Sequence, residues 1–269
     1  MLKKLELSHE DHLELIRYCK ECNVKFLSTA FDHDSIDFLK SLELGLWKIP
    51  SGEITNKPFL EHVASFGENT IVSTGMSTLA EIGEALEVLY QQGLTKEQIS
   101  IMHCTSNYPT PFEQVNLRAM KTIENEFGIS VGYSDHTMGI EVPIAAVALG
   151  ATIIEKHFTL DREMDGPDHL ASLEPNELKA MCHSIRNVSI SLGNSEKQPT
   201  DEECDTIKVA RKSIHSKHFI KKGQQIEMND LQMLRPGIGI SPMKLNEILG
   251  MKALRDIPPK TLMSWNLIG

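Results

Sequence analysis

Six short β-rich segments alternate with helix-length amphipathic stretches along the first two-thirds of this chain. The β-rich segments are "VKFLSTAF", "LWKIPSG", "TIVSTGM", "ISIMHCTS", "ISVGYSD" and "TIIEKHF". Between them lie "DHDSIDFLKSLEL", "NKPFLEHVASF", "STLAEIGEALEVLYQQG", "FEQVNLRAMKTIENEF" and "IEVPIAAVALG", and "EPNELKAMCHSIRNVSISLG" follows the last. Strands spaced in this way pair in parallel through βαβ crossovers. Either a doubly wound sheet or a (β/α)8 barrel would use that pattern. The strand ends separate the two: Ser28-Thr29, Lys48 with Ser51, Ser73-Thr74, Thr105-Ser106, Ser134-Asp135-His136 and Glu155-Lys156-His157 are all polar. A doubly wound sheet gathers its site at one crevice, whereas a barrel points every strand's C-terminal end at one mouth. The expectation is a TIM-type α/β barrel over residues 1–194, with six of its eight units in this chain after an opening helix-like segment.

The pattern changes after "SLGNSEKQPTDEECDT", where residues 195–209 have linker composition. Residues 210–269 are rich in Gly and Pro turns, with helical period only in "SPMKLNEILG", and read as a small β-rich domain near the lower size limit for independent folding. From Arg211 onward there are ten Lys/Arg against four Asp/Glu, a net of +6 in a chain whose total is −10, so residues 1–210 carry −16. An acidic body beside a basic module suggests two domains that dock electrostatically, although two independently solvated surfaces would give the same count.

A net charge of −10 argues against nucleic-acid or anionic-membrane binding. No apolar run approaches the ~20 residues of a membrane span, and "MLKKLELSHEDH" lacks the apolar stretch of a secretory signal. The expected location is therefore cytoplasmic. Five scattered cysteines do not form a disulfide framework, and the lone Cys19-x-x-Cys22 has no second pair to complete a zinc site.

Several strand ends carry side chains suited to chemistry. His136 and His157 end consecutive strands, so they should be neighbours at the mouth and could supply half of a divalent-metal site. Two hydrogen-bonded structural histidines would fit the same spacing. Glu155 shares a strand face with His157, and Lys156 points the other way. Lys48, Ser51 and Glu53 in "WKIPSGE", and the hydroxyls of "STGMST", suit a phosphate or carboxylate, or else are ordinary helix caps. "CTSNYPTP" is a substrate loop or a plain one. "DREMDGPDH" places Asp165, Asp168 and His169 where a lid would sit. Arg235 in "LRPGIGI" is a fork donor between turn residues.

Together, "WKIPSGE", "STGM", "HCTSNYPTPFEQVNL", "SDHT", "EKHFTLDREMDGPDHLAS" and "RPG" resemble the sialic acid synthase (NeuB-like) family throughout the chain. The resemblance implies a (β/α)8 barrel joined to a C-terminal antifreeze-like (SAF) domain, in a cytoplasmic homodimer whose protomers swap these small domains. It implies an enzyme of carbohydrate biosynthesis, a transferase that condenses phosphoenolpyruvate with N-acetylmannosamine to give N-acetylneuraminate and phosphate. The alternatives are a legionaminate synthase using 2,4-diacetamido-2,4,6-trideoxymannose, and an inactive truncated form that only binds a partner or ligand. Carried over by position, His136 and His157 would hold a divalent metal, Mn2+ or Mg2+. Thr29, Lys48, Ser51, Ser73 and Ser134 would bind the phosphoenolpyruvate, with Ser106 also on the substrate side. Glu53, Asp168 and Tyr108 would face the sugar, so that Glu53, His136, His157 and Asp168 form the catalytic set. Arg235 would contact the sugar's N-acetyl group from the partner protomer. In this chain the family's first two βα units are absent, and Ile238 stands where the related "RPGNG" pattern has asparagine.

Overall fold

Five of the β-rich segments pair in chain order as one parallel sheet: β1 Leu46–Ile49, β2 Asn69–Ser73, β3 Ile99–Cys104, β4 Ser130–Asp135 and β5 Ile154–Lys156. This computed structural model describes residues 6–269, and the chain divides into two compact units, Met1–Asn194 and Ser195–Gly269. The sixth expected strand, "VKFLSTAF", is a correction. Residues 24–30 join no β-ladder among the described residues, although Ala30 is buried. A strand is defined by its partner, and apolar composition without a neighbouring ladder leaves an unpaired segment.

The helices follow the sequence signals. Helix α1 (His9–Glu21) starts at a Ser8/Asp11 capping box, α2 (His33–Ser41) at Asp32 and α3 (Lys57–Ala64) at Asn56. Helix α4 (Leu79–Gln91) has a Thr78/Glu81 box, and α5 (Arg118–Phe127) ends at a left-handed Gly128. Helices α6 (Glu141–Ala148) and α7 (Pro175–Ser191) complete the unit. None of α1's residues is buried, despite its amphipathic pattern.

Period-two alternation divides the sheet's side chains between its faces. Trp47, Ile49, Val72, Ile99, Ile101, Val131 and Tyr133 form one core with apolar residues of α2 to α6. The intervening positions, Lys48, Ser73, Cys104, Ser134 and Glu155, share the other face. That face is concave. Four strand spacings of about 4.8 Å separate β1 from β5 in a flat sheet, well beyond the joint reach of a lysine and a glutamate. Yet Lys48 Nζ lies 3.0 Å from Glu155 Oε2. Gly132 sits where the curl is tight, since a Cβ there would come within 2.7 Å of the Ile153 carbonyl oxygen and 3.1 Å of Met102 Cγ.

The second unit opens with α8 (Asp201–Ala210), capped by a Thr200/Glu203 box. This corrects the linker expected over 195–209. Beyond it, β6 (Ser213–Ser216) and β7 (Leu231–Leu234) pair antiparallel, and α9 (Leu245–Ile248) falls in the one stretch with helical period. Ile214, Ile220, Ile226, Ile248, Ile257 and Met263 anchor a separate core.

One ionic contact crosses the apolar side of the sheet. Asp135 and Lys156 are registered partners on β4 and β5, with side chains 0% and 2% exposed and Nζ to Oδ2 at 2.6 Å. Thr137 satisfies the remainder: its N–H and Oγ1–H donate to Asp135 at 3.0 Å each, and its carbonyl accepts from Lys156. Removing either partner leaves a buried charge alone. Replacing Lys156 by Ala should therefore lower the unfolding free energy by roughly 3–5 kcal/mol, read from urea titration by circular dichroism. A loss below about 1 kcal/mol, the worth of an exposed pair, would show that the pair is not the lock between these strands.

Candidate active site at the strand ends

The concave face ends in a cluster of polar groups at the C-terminal ends of β1 to β5. Lys48, only 9% exposed, reaches across to Glu155. The other Glu155 oxygen, Oε1, accepts from Ser134 Oγ at 2.7 Å. Burial pushes the Glu155 carboxyl up, but the Lys48 ammonium and the Ser134 hydroxyl outweigh it and hold the group below the usual carboxylate range. The ammonium has three N–H donors, so one ion pair leaves two for a ligand.

Ser51, in the 3-10 turn after β1, accepts from the Gly75 amide at 2.9 Å and lies 3.2 Å from Cys104 Sγ at the end of β3. A Cβ on Gly75 would collide with Ser106 Oγ and crowd Ser51 Oγ at 2.9 Å and Cys104 Sγ at 3.0 Å. The hydroxyls of Ser51 and Ser106 and the Cys104 thiol therefore converge over a residue that has to be glycine. Ser73 at the end of β2 is 3% exposed, and its Oγ has no hydrogen-bond partner among the described residues. Such an orphan costs about 1–3 kcal/mol and is relieved when a ligand oxygen meets it.

Beside this cradle stand three rings. His136 lies 5.2 Å from His157 between centroids, edge to face, and Tyr108 lies 4.2 Å from His136 and 5.5 Å from His157. His136 Nδ1 is 2.7 Å from the Thr105 carbonyl oxygen, and the His136 carbonyl in turn accepts from the Thr110 amide at 2.9 Å. A carbonyl only accepts, so Nδ1 carries the hydrogen and Nε2 is left with its lone pair. Burial pushes the His136 imidazole down, which favours the neutral form a metal needs. Asp168 Oδ2 is 4.0 Å from His157 Nδ1. Burial, with Cys104, Asp168 and Glu155 nearby, pushes the Tyr108 phenol up.

No group of three or more His, Cys, Asp or Glu among the described residues is arranged to hold a metal ion. The histidines fit a divalent cation as a two-nitrogen site, with the remaining positions left to water or substrate oxygens.

The structure thus brings Lys48, Ser51, Ser73, Ser106, Tyr108, Ser134, His136, His157 and Asp168 to one end of the sheet. Glu53 lies in the same turn as Ser51. Its carboxylate accepts from Asn56 Nδ2 at 2.6 Å, at the start of α3, and it makes no hydrogen bond to the histidines. Thr29, on the unpaired segment before β1, is half-buried and likewise makes no hydrogen bond to the cluster. Arg235 belongs to the second unit, where it is exposed and its Nε donates to the Ala210 carbonyl at 2.8 Å. Sequence reasoning passed over Cys104 and the Glu155 partnership with Lys48. Both face inward by strand parity, the one signal that could have found them.

Among the described residues no helix is long and apolar enough to cross a membrane. Models of two families match the chain: the NeuB family over residues 1–197 and the SAF domain over residues 211–268. An N,N'-diacetyllegionaminic acid synthase of Campylobacter jejuni is 49% identical over 95% of this chain and 77% of its own length. A second, from Legionella pneumophila, is 46% identical over 100% and 76%. Among solved structures, an N-acetylneuraminic acid (sialic acid) synthetase from Leptospira borgpetersenii, in complex with citrate, is 34% identical. It has a TM-score of 0.71 and covers 76% of this chain and 71% of its own. The curled parallel sheet, the polar strand ends and these matches lead to one conclusion: the chain belongs to the NeuB family and carries a SAF domain.

Proposed function

We propose that this protein condenses phosphoenolpyruvate with 2,4-diacetamido-2,4,6-trideoxymannose to form N,N'-diacetyllegionaminate and phosphate. The observation that carries the reading is the cradle itself. A nearly buried lysine with two free donors, the convergent Ser51 and Ser106 hydroxyls, and the orphaned Ser73 hydroxyl lie beside paired imidazoles. This set supports a small multiply charged anion held next to an electrophilic site. The choice of acceptor departs from the N-acetylmannosamine expected first from the sequence. The two relatives at 49% and 46% identity carry the legionaminic name, whereas the sialic acid synthetase is at 34%.

In the proposed reaction the enol C3 of the donor bonds to the aldehyde carbon of the open-chain sugar, and the aldehyde oxygen becomes a hydroxyl. One water adds at the donor's C2, and phosphate leaves with C–O cleavage as the C2 ketone forms. Lys48, Ser51, Ser73 and Ser134 hold the donor and fix the face from which C3 approaches. His136, through Nε2, and His157 would hold a divalent metal, Mn2+ or Mg2+, which would supply Lewis acidity toward the acceptor's aldehyde. Asp168 stands 4.0 Å from His157, and Tyr108 packs against both rings. A contact of Arg235 with the acceptor, and the domain-swapped homodimer that would deliver it, rest on the family resemblance. The overall charge and composition support a cytoplasmic enzyme.

The test is phosphate release on incubating the protein with phosphoenolpyruvate, Mn2+ and each acceptor. Release with the diacetamido sugar exceeding that with N-acetylmannosamine is expected. The reverse preference would replace the acceptor, and folded protein that releases no phosphate with either would overturn the enzyme reading. A second expectation concerns pH. Because burial lowers the folded-state pKa of His136, its neutral form persists below the ordinary imidazole value of about 6.5. Protons therefore compete with the metal only in more acid solution. Calorimetric Mn2+ titrations from about pH 8 to 5 should show affinity surviving past that value and then falling. His136→Ala should weaken binding at least about tenfold at neutral pH, and an unchanged affinity would remove His136 from the ligand set.

A further inference from the structure

Cys104 is the one inward-facing strand-end group on β1 to β4 that the proposed reaction does not use. It is 5% exposed at the end of β3, and burial pushes its thiol up, so it stays protonated at neutral pH and is no nucleophile. Its side-chain hydrogen bond is to Ser51 Oγ at 3.2 Å. Ser51 Oγ already accepts from the Gly75 amide at 2.9 Å. A serine hydroxyl offers two lone pairs and one hydrogen. If Ser51 donated to the sulfur, its hydrogen would be spent inside the protein and the thiol hydrogen would be left over. If the thiol donates, both Ser51 lone pairs are filled and the hydroxyl hydrogen is free for a ligand.

We infer that Cys104 is a positioning residue for the donor site: its S–H donates to Ser51 Oγ and, with the Gly75 amide on the second lone pair, turns the Ser51 hydroxyl hydrogen toward the bound anion. The inference rests on the proposed role of Ser51 in holding phosphoenolpyruvate. It also accounts for Gly75. Any side chain there would part the Ser51 and Ser106 hydroxyls from the thiol. Packing alone would ask only for a small apolar group at position 104, whereas the arrangement described needs a donor.

Phosphoenolpyruvate binding to the whole chain, measured by calorimetry alongside KM and kcat, tests it with Cys104→Ala, Cys104→Ser, Ser51→Ala and the Ser51→Ala/Cys104→Ala double variant. Loss of a hydrogen bond to a charged ligand predicts about tenfold weaker binding for Cys104→Ala, with KM rising far more than kcat falls. Cys104→Ser keeps a donor and should stay within about threefold of the parent. In the Ser51→Ala background, Cys104→Ala should add less than about twofold, because its effect passes through Ser51. Should the alanine variant not fold, Cys104→Val removes the donor while filling the space. Equal losses for the serine and alanine variants, or a full Cys104→Ala effect without Ser51, would overturn the inference and leave the function standing. Ser51→Ala that leaves phosphoenolpyruvate binding unchanged would remove Ser51 from the donor site, and the inference with it.

Discussion

The ion pair between Lys48 and Glu155 joins the first and last strands of the sheet across its concave face. Much of the site is arranged around it. It can form only because the sheet curls, and the curl brings the ends of β1 to β5 around one space. The pair also sets the charge of that space. A nearly buried lysine without an anion is costly to the fold, and Glu155 holds it in place while leaving two of its three donors unspent. Ser134 bonds to the same carboxylate, so three strands share one network.

The other face of the sheet solves a different problem. Apolar residues on alternating positions pack against the helices, and the buried ion pair there, Asp135 with Lys156, is closed off by Thr137. "TIIEKHF" thus ends in three ionisable residues because each has a separate task. Glu155 faces the concave side, Lys156 ties β5 to β4 on the core side, and His157 stands beyond the last ladder pair, next to His136. Parity along a strand was readable from the sequence. The partners were not, since they come from strands far apart in the chain and contact depends on the curl.

The same distinction explains the other misses. Segment 24–31 has strand composition, but pairing is a property of two segments, and composition describes one. The stretch before Arg211 looked like a linker because it is polar and contains Gly and Pro. The Thr200-x-x-Glu203 capping box within it was a legible helix start, followed by a first turn rich in acidic residues, as a helix N-terminus favours. Glu53, whose place on the sugar side is an expectation from the family resemblance, accepts from Asn56 Nδ2 in the turn after β1. Turn geometry decides where such a side chain points, and a motif's letters do not encode it.

Separating the two faces also separates stability from chemistry. On the core side the buried charges have their full complement of partners, so a substitution at Asp135 or Lys156 acts on folding first. On the concave side, polar capacity is left unspent: Ser73 Oγ has no partner, Lys48 keeps two donors, and His136 Nε2 keeps its lone pair. The buried Ser73 hydroxyl is destabilising in the free protein and would be satisfied by a ligand, so ligand binding and folding stability are coupled through it. One sheet carries both because the two sets alternate along each strand. That alternation sets the site's unspent groups on the concave face, while the core on which the curl depends carries one orphan of its own, the buried Tyr133 hydroxyl.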